Sequence, residues 1–243
     1  MVQTVKIEVL FGEVCGLYGD AQNAAYLKAT LPDAEFIETK LTQTPYFAEN
    51  DPDMILIGSM SEKTQRLVIE KLMPLKDRIL ALMEKGTVIL ATGNACEVFC
   101  SHICYRTEKL ETDGLNIVPL TVENKYFGRY NGKVLAEFED LQIVGFRSQF
   151  SFLYGDNSED YFLKVLRGDG INKESKLEGF RVKNLFGTQV LGPILPLNPL
   201  FCEYLIKLAG GDAQAAFRQE AMAAYTQRLA EFSDPNVKFG NNI

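Results

Sequence analysis

A thiol or hydroxyl nucleophile needs a base within reach, and this chain offers one histidine, His102, to five cysteines. Three of those cysteines, Cys96, Cys100 and Cys104, stand four residues apart behind the tight turn Thr92-Gly93-Asn94. The spacing predicts one helix carrying all three thiols on a single face. Adjacent thiols on such a face could share a metal ion, but free cysteine is equally a small core residue, and burial without metal is the expectation. Pairing Cys96 with His102 on that helix fails, because six residues separate them by about 120° around the axis and roughly 9 Å along it. His102 would also stand roughly 15 Å along the axis from Thr92, beyond the reach of a general base, so it is expected to be structural within an apolar helix. Cys15 borders the turn Gly16-Leu17-Tyr18-Gly19-Asp20 but has no histidine to activate it. Arg167-Gly168-Asp169 reads as a chance tripeptide, Gly168-Asp169-Gly170 as a turn, and Lys173, Glu174, Lys176 and Glu178 as a mixed solvated loop. No phosphate-cradling G-x-x-x-x-G-K-[ST] spacing occurs.

These residues must be positioned by a chain of 243 residues that is 47% hydrophobic, enough for a sizeable core and expected to form one domain over residues 1–243. A net charge of -7 speaks against a nucleic-acid surface. No apolar run approaches the roughly 18 to 20 residues of a membrane helix, and no stretch reads as a signal peptide. A cytoplasmic protein with reduced thiols is expected, since an odd cysteine count suggests no disulfide scaffold.

The elements follow from local pattern. Residues 5–11 read as a strand ending at Gly12, residues 21–31 as a helix stopped by Pro32, and residues 34–41 as a second strand. The apolar run 53–58 suits a strand covered on both faces. Ser61 can cap a helix that reaches about Lys85, interrupted at Pro74 and ended by Gly86. Residues 87–91 form another strand, and the alternation predicts a parallel sheet. Beyond Gly114 shorter strands are expected at 117–122, 133–138, 141–146 and 180–182, with Asn131-Gly132 as a hairpin turn. Two helices follow at 200–208 and 212–232, the second capped by Asp212.

In an open α/β sheet ligands bind beyond the carboxyl ends of the strands, which singles out Gly58-Ser59-Met60-Ser61, Thr92-Gly93-Asn94 and Leu191-Gly192-Pro193. Together with Leu17-Tyr18-Gly19-Asp20 and Asn23, the stretch from Ile57-Gly58 to Gln65, Ile143-Val144-Gly145-Phe146, Asn184-Leu185-Phe186-Gly187-Thr188 and Gly192-Pro193-Ile194-Leu195-Pro196, they occur in the order found in class I glutamine amidotransferases. The chain resembles the CobB/CobQ type over nearly its whole length, and within it the GatD-type glutaminase subunit of lipid II isoglutaminyl synthase. The resemblance implies a three-layer, flavodoxin-like α/β fold with a mostly parallel central sheet. It also implies a nucleophilic cysteine on a strand-to-helix elbow and a histidine base in Y-L-H-G-P. The corresponding residues here are Thr92 and Leu191. The glycine-rich oxyanion turn reads Gly58-Ser59-Met60, an asparagine-histidine pair reads Ser148-Gln149, and Arg129 stands where the GatD type has an arginine linked to glutamine binding.

These substitutions imply a non-catalytic member that keeps a binding or partner-docking role, with no metal and no cofactor. Candidate ligand-binding residues are Gly58, Ser59, Thr92, Gly93, Arg129 and Gln149. The partner implied by the resemblance is a Mur-ligase-like (MurT-type) protein, alongside a small-molecule ligand. The alternatives are an enzyme with an altered nucleophile, at Thr92, Cys96 or Cys15, and a small-molecule-binding domain.

Overall fold

The computed structural model describes residues 4–125, 128–191 and 193–242. Gly192, named above in one candidate turn, lies outside the described residues. The central sheet begins with β1 (Lys6–Leu10), β2 (Glu35–Thr39), β3 (Met54–Ile57) and β4 (Val88–Thr92). Helices α1 (Ala21–Thr30), α2 (Glu62–Leu72) and α3 (Lys76–Lys85) lie between them in sequence. Local chemistry sets the helix ends as expected. The Ser61 side chain accepts from the Thr64 amide, a 3-10 turn through Pro74 separates α2 from α3, and Gly86 closes α3 in the left-handed region at φ 91°.

The chain then departs from the expected helix. Gly93–Phe99 winds as a 3-10 segment and Cys100 is extended. The amides of Leu115, Asn116 and Ile117 bond the carbonyls of Val98, Cys100 and Phe99, so those acceptors serve a neighbouring segment instead of an α-helix. The expected shared face of Cys96, Cys100 and Cys104 therefore does not exist, and His102 lies on a strand. That strand is β5 (His102–Tyr105), followed by β6 (Leu110–Asp113), β7 (Thr121–Asn124), β8 (Tyr130–Phe138), β9 (Leu141–Gln149), β10 (Ser151–Tyr154), β11 (Leu163–Arg167) and β12 (Leu177–Glu178). β13 (Phe180–Val182) and β14 (Leu185–Thr188) return to the central sheet. Its order is β13-β14-β4-β3-β1-β2, with only the β13–β14 pairing antiparallel.

Asn131-Gly132 is not a turn. Both residues lie inside β8, opposite Ser148 and Arg147, and the β8–β9 hairpin turns at Glu139 and Asp140. Gly132 is needed for a close approach, since a Cβ there would stand 2.7 Å from the Tyr130 hydroxyl and 3.0 Å from the Phe239 carbonyl oxygen. At the C-terminal side, α4 (Ile194–Leu197) and α5 (Pro199–Leu208) precede α6 (Arg218–Ser233) and β15 (Gly240–Asn242). α6 starts after Phe217, not at Asp212. The Ala215 and Ala216 amides bond Glu203 and Thr30 side chains, holding the intervening chain in a non-helical path.

Strand alternation divides the core into two layers across the sheet. Ile55, Ile57, Ile89 and Ala91 pack with α2, α3 and the β5–β7–β10 strands. Met54, Leu56, Val88 and Leu90 pack with α1, α5 and β8. Among the described residues no helix is long and apolar enough to cross a membrane.

Candidate functional site

The carboxyl ends of β3 and β4 present the two turns singled out by sequence, and the loop after β14 brings Leu191 against them. Gly93 sits between Ser59 and Leu191 at φ 59°, where an added Cβ would lie 2.7 Å from Ser59 Cβ and 2.7 Å from Leu191 Cδ2. The elbow thus requires glycine both for its backbone and for the close approach.

The Thr92 hydroxyl and the Ser59 and Met60 amides at this elbow are already engaged. Thr92 is 2% exposed, and its hydroxyl donates to Asp20 Oδ2 at 2.9 Å. The same oxygen accepts the Ser59 amide at 2.8 Å. The Met60 amide donates to Asn94 Oδ1 at 2.9 Å, and Asn94 Nδ2 donates back to the Met60 carbonyl. The two amides after Gly58 therefore bind the protein's own acceptors. Leu191, buried and apolar, offers no side-chain group for proton transfer, and its amide is committed to the Phe146 carbonyl at 2.8 Å. The thiols are equally unsuited to attack. Burial pushes the Cys15 thiol up to about 12, and burial holds Cys96 and Cys100 well above the ordinary thiol range.

Two separate cavities adjoin the elbow, and Asp20 lines the one beside α1. On one side Gly58 and Thr92 line a cavity of about 220 Å³ beside α1. On the other, Ser59, Gly93, Gln149 and Leu191 surround a cavity of about 40 Å³, room for water-sized molecules rather than an amino acid. Arg129 stands over the rings of Tyr18 and Phe150 at 5.5 and 4.5 Å and donates to Ser148 Oγ at 3.3 Å. The six candidate binding residues are thus split between two cavities and a rim.

Beneath the smaller cavity lies a buried polar network that sequence reading missed. Glu97, fully buried, accepts from Gln65 Nε2 at 2.8 Å, from Gln189 Nε2 at 3.2 Å and from the Ser151 hydroxyl. Burial pushes its carboxyl up to about 7 against those hydrogen bonds. Gln189 Oε1 accepts from Arg147 Nη2 at 2.9 Å and from Gln149 Nε2 at 3.1 Å. Arg147 meets Glu178 Oε1 at 3.4 Å, both fully buried. Glu178 also accepts from the Thr188 hydroxyl and the Gln189 amide, so it belongs to the core and not to a solvated loop. Two buried oxygens on residues that line the smaller cavity, Asn124 Oδ1 and Gln149 Oε1, have no hydrogen-bond partner among the described residues. The available signal for Glu97 was a single charge inside the apolar run Ala95-Cys96-Glu97-Val98-Phe99. Arg147 and Glu178 gave none, because the partner of each is distant in sequence.

His102 is far from the role sketched on a helix. On the half-exposed face of β5 its Nδ1 pairs with Asp113 Oδ1 at 2.9 Å and its Nε2 with Glu111 Oε2 at 3.3 Å. The Asp113 hydrogen bond raises its pKa. Cys104 lies on the same face, whereas Cys96 and Cys100 are core residues as expected.

Comparison with known proteins adds relatives to this geometry. A family model described as the CobB/CobQ-like glutamine amidotransferase domain matches residues 6–198. The lipid II isoglutaminyl synthase (glutamine-hydrolyzing) subunit GatD of Staphylococcus aureus N315 is 29% identical over 196 residues, 79% of each chain. The protein of the same description from Streptococcus pneumoniae R6 is 25% identical over 244 residues, covering 96% of this chain and 92% of that one. Among solved structures, PurLQS from Thermotoga maritima superposes with a TM-score of 0.52 at 12% identity, over 95% of this chain and 99% of the other. A glutamine amidotransferase superposes with a TM-score of 0.54 at 14% identity, over 84% and 98%. These likenesses bear out the amidotransferase-like α/β fold.

Proposed function

We propose that this chain, which belongs to the CobB/CobQ-like glutamine amidotransferase family, is a GatD-like member that does not hydrolyse glutamine and serves by binding and by docking to a partner. One observation carries the reading: the elbow hydroxyl of Thr92 is spent on Asp20, with the apolar Leu191 side chain packed beside the elbow. Nucleophilic attack on an amide needs an activated nucleophile, a base and donors for the oxyanion. Here a threonine faces a carboxylate oxygen already shared with Ser59, no histidine is at hand, and the Ser59 and Met60 amides are occupied.

The reading takes residues 1–243 as one amidotransferase-like unit working in the cytoplasm. Its relatives are named as subunits of lipid II isoglutaminyl synthase, which supports a protein partner, and a Mur-ligase-like (MurT-type) protein is the one proposed. Of the six candidate residues, Ser59, Gly93 and Gln149, with Arg129 at the rim, are proposed to hold a ligand of a few heavy atoms in the smaller cavity, while Gly58 and Thr92 line the separate cavity beside α1. The unpartnered oxygens of Asn124 and Gln149 favour a hydrogen-bond donor in the smaller cavity.

The test is glutamate release from L-glutamine, followed by a coupled dehydrogenase assay, with the purified chain alone and with its Mur-ligase-like partner. The expected rate is that of the buffer blank in both cases. Multiple turnovers, abolished by Thr92→Ala, would overturn the proposal in favour of an altered nucleophile.

A further inference from the structure

We propose that β5 and β6 carry a binding site for a borderline transition-metal dication of the zinc class, with His102, Cys104 and Glu111 as ligands and Asp113 orienting the imidazole. The strand register builds it. His102 and Cys104 are two residues apart and share one face of β5, while Asp113 and Glu111 stand directly opposite them on β6. Two neighbouring pairs of a tight antiparallel hairpin thus converge on one patch, and the His102, Cys104 and Glu111 ligand atoms all lie within 4.8 Å of one another.

The separations fit a tetrahedral ion. Bonds of about 2.0–2.1 Å to imidazole nitrogen, about 2.0–2.2 Å to carboxylate oxygen and about 2.3 Å to sulfur give edges of about 3.4 Å (N to O) and about 3.6 Å (S to O). The structure has His102 Nε2 at 3.3 Å from Glu111 Oε2 and Cys104 Sγ at 3.6 Å from the other carboxylate oxygen, Oε1, so each donor stands about one tetrahedral edge from a Glu111 oxygen, though not from the same one. An ion held by one Glu111 oxygen requires the carboxylate to turn so that this oxygen faces both donors, a motion open to a side chain that is 61% exposed.

The second nitrogen of His102 supplies an independent argument. With Nε2 turned to the ion, Nδ1–H donates to Asp113 Oδ1, 2.9 Å away. That is the carboxylate–histidine arrangement that fixes tautomer and ring orientation in metal sites. Charge fits as well: a thiolate, a carboxylate and a neutral imidazole cancel a dication. The adjoining Glu123, opposite Cys104 on β7, is already paired with Arg106 and Lys125. Nitrogen, sulfur and oxygen donors together select a borderline ion over calcium or magnesium, and the fourth position faces solvent.

The site goes beyond the proposed function and stands or falls separately from it, because no residue of the elbow takes part. The experiment is a Co²⁺ titration of the full metal-free chain, with Zn²⁺ affinity then measured by competition. One equivalent of Co²⁺ is expected to give a thiolate-to-cobalt charge-transfer band that Zn²⁺ abolishes. Cys104→Ser is expected to remove the band while the buried Cys15, Cys96, Cys100 and Cys202 remain. Asp113→Asn is expected to keep the band and weaken Zn²⁺ binding about 10- to 100-fold. Circular dichroism and urea midpoints of each variant check that the fold is kept. Absence of the band at one equivalent in the wild-type chain, its persistence in folded Cys104→Ser, or a Zn²⁺ affinity unchanged in folded His102→Ala would overturn the proposal.

Discussion

Replacing Glu97 by glutamine should change how stability depends on pH, and the buried network sets the size of the change. The Glu97 carboxyl moves from an ordinary value of 4.5 to about 7 in the folded chain, mainly because burial disfavours its charge. Between those values the folded chain holds a proton that the unfolded chain has released. Stability from this group is therefore complete below about pH 4.5, falls as pH rises, and is lost by about pH 7. At about 1.4 kcal/mol per pH unit, that span corresponds to about 3–4 kcal/mol. A glutamine at 97 cannot ionise, and its carbonyl can still accept from Gln65 while its amide nitrogen faces the Ser151 hydroxyl. Urea denaturation of wild type and Glu97→Gln at pH 5, 6, 7 and 8 isolates the effect as a difference. Other carboxyls raised by burial, Glu8 and Glu178, contribute equally to both proteins. Relative to wild type, the variant should gain about 2 to 3 kcal/mol between pH 5 and pH 8. A difference constant over that range within about 0.5 kcal/mol, the scatter expected of additive sites, would refute a buried, protonated Glu97.

Two further outcomes follow from the same site. Glu178→Ala leaves the buried Arg147 guanidinium without its carboxylate and should cost about 3–5 kcal/mol in urea denaturation, while Arg147→Met with Glu178→Leu should cost much less than the two single changes summed. Gly93→Ala should cost at least about 1–2 kcal/mol, the cost of left-handed backbone for a residue with a Cβ. Adding Leu191→Ala should recover part of that loss, because Leu191 Cδ2 is one of the two atoms within 2.7 Å of the new Cβ, and thermal melts of the four proteins in this cycle would show no coupling if the contact were wrong.

Much of the frame was legible because it depends on neighbours in sequence. The Ser61 cap, the break at Pro74 and the left-handed Gly86 are each decided within one helical turn, and the structure shows all three. The apolar runs of β3 and β4 marked strands covered on both faces for the same reason. Where the local signal misled, a distant segment had taken over the backbone. The spacing of Cys96, Cys100 and Cys104 suits a helix, but residues 115–117 capture the carbonyls between them. Asn131-Gly132 has the composition of a turn, but the glycine serves the packing of Tyr130 and the approach of Phe239.

The substitutions at the elbow divide in the same way. On the family resemblance, the sequence puts Thr92 and Leu191 where a thiol and a histidine are expected, and no fold can supply functional groups that a position lacks. Only the tertiary structure could decide that Asp20 and Asn94 satisfy the Ser59 and Met60 amides, that Glu97 lies uncharged beneath them at low pH, and that His102 stands beside Cys104 and Glu111. Hydrogen bonding, desolvation and ligand geometry depend on separations of a few ångströms between residues far apart in the chain, and those separations exist only once the strands have paired.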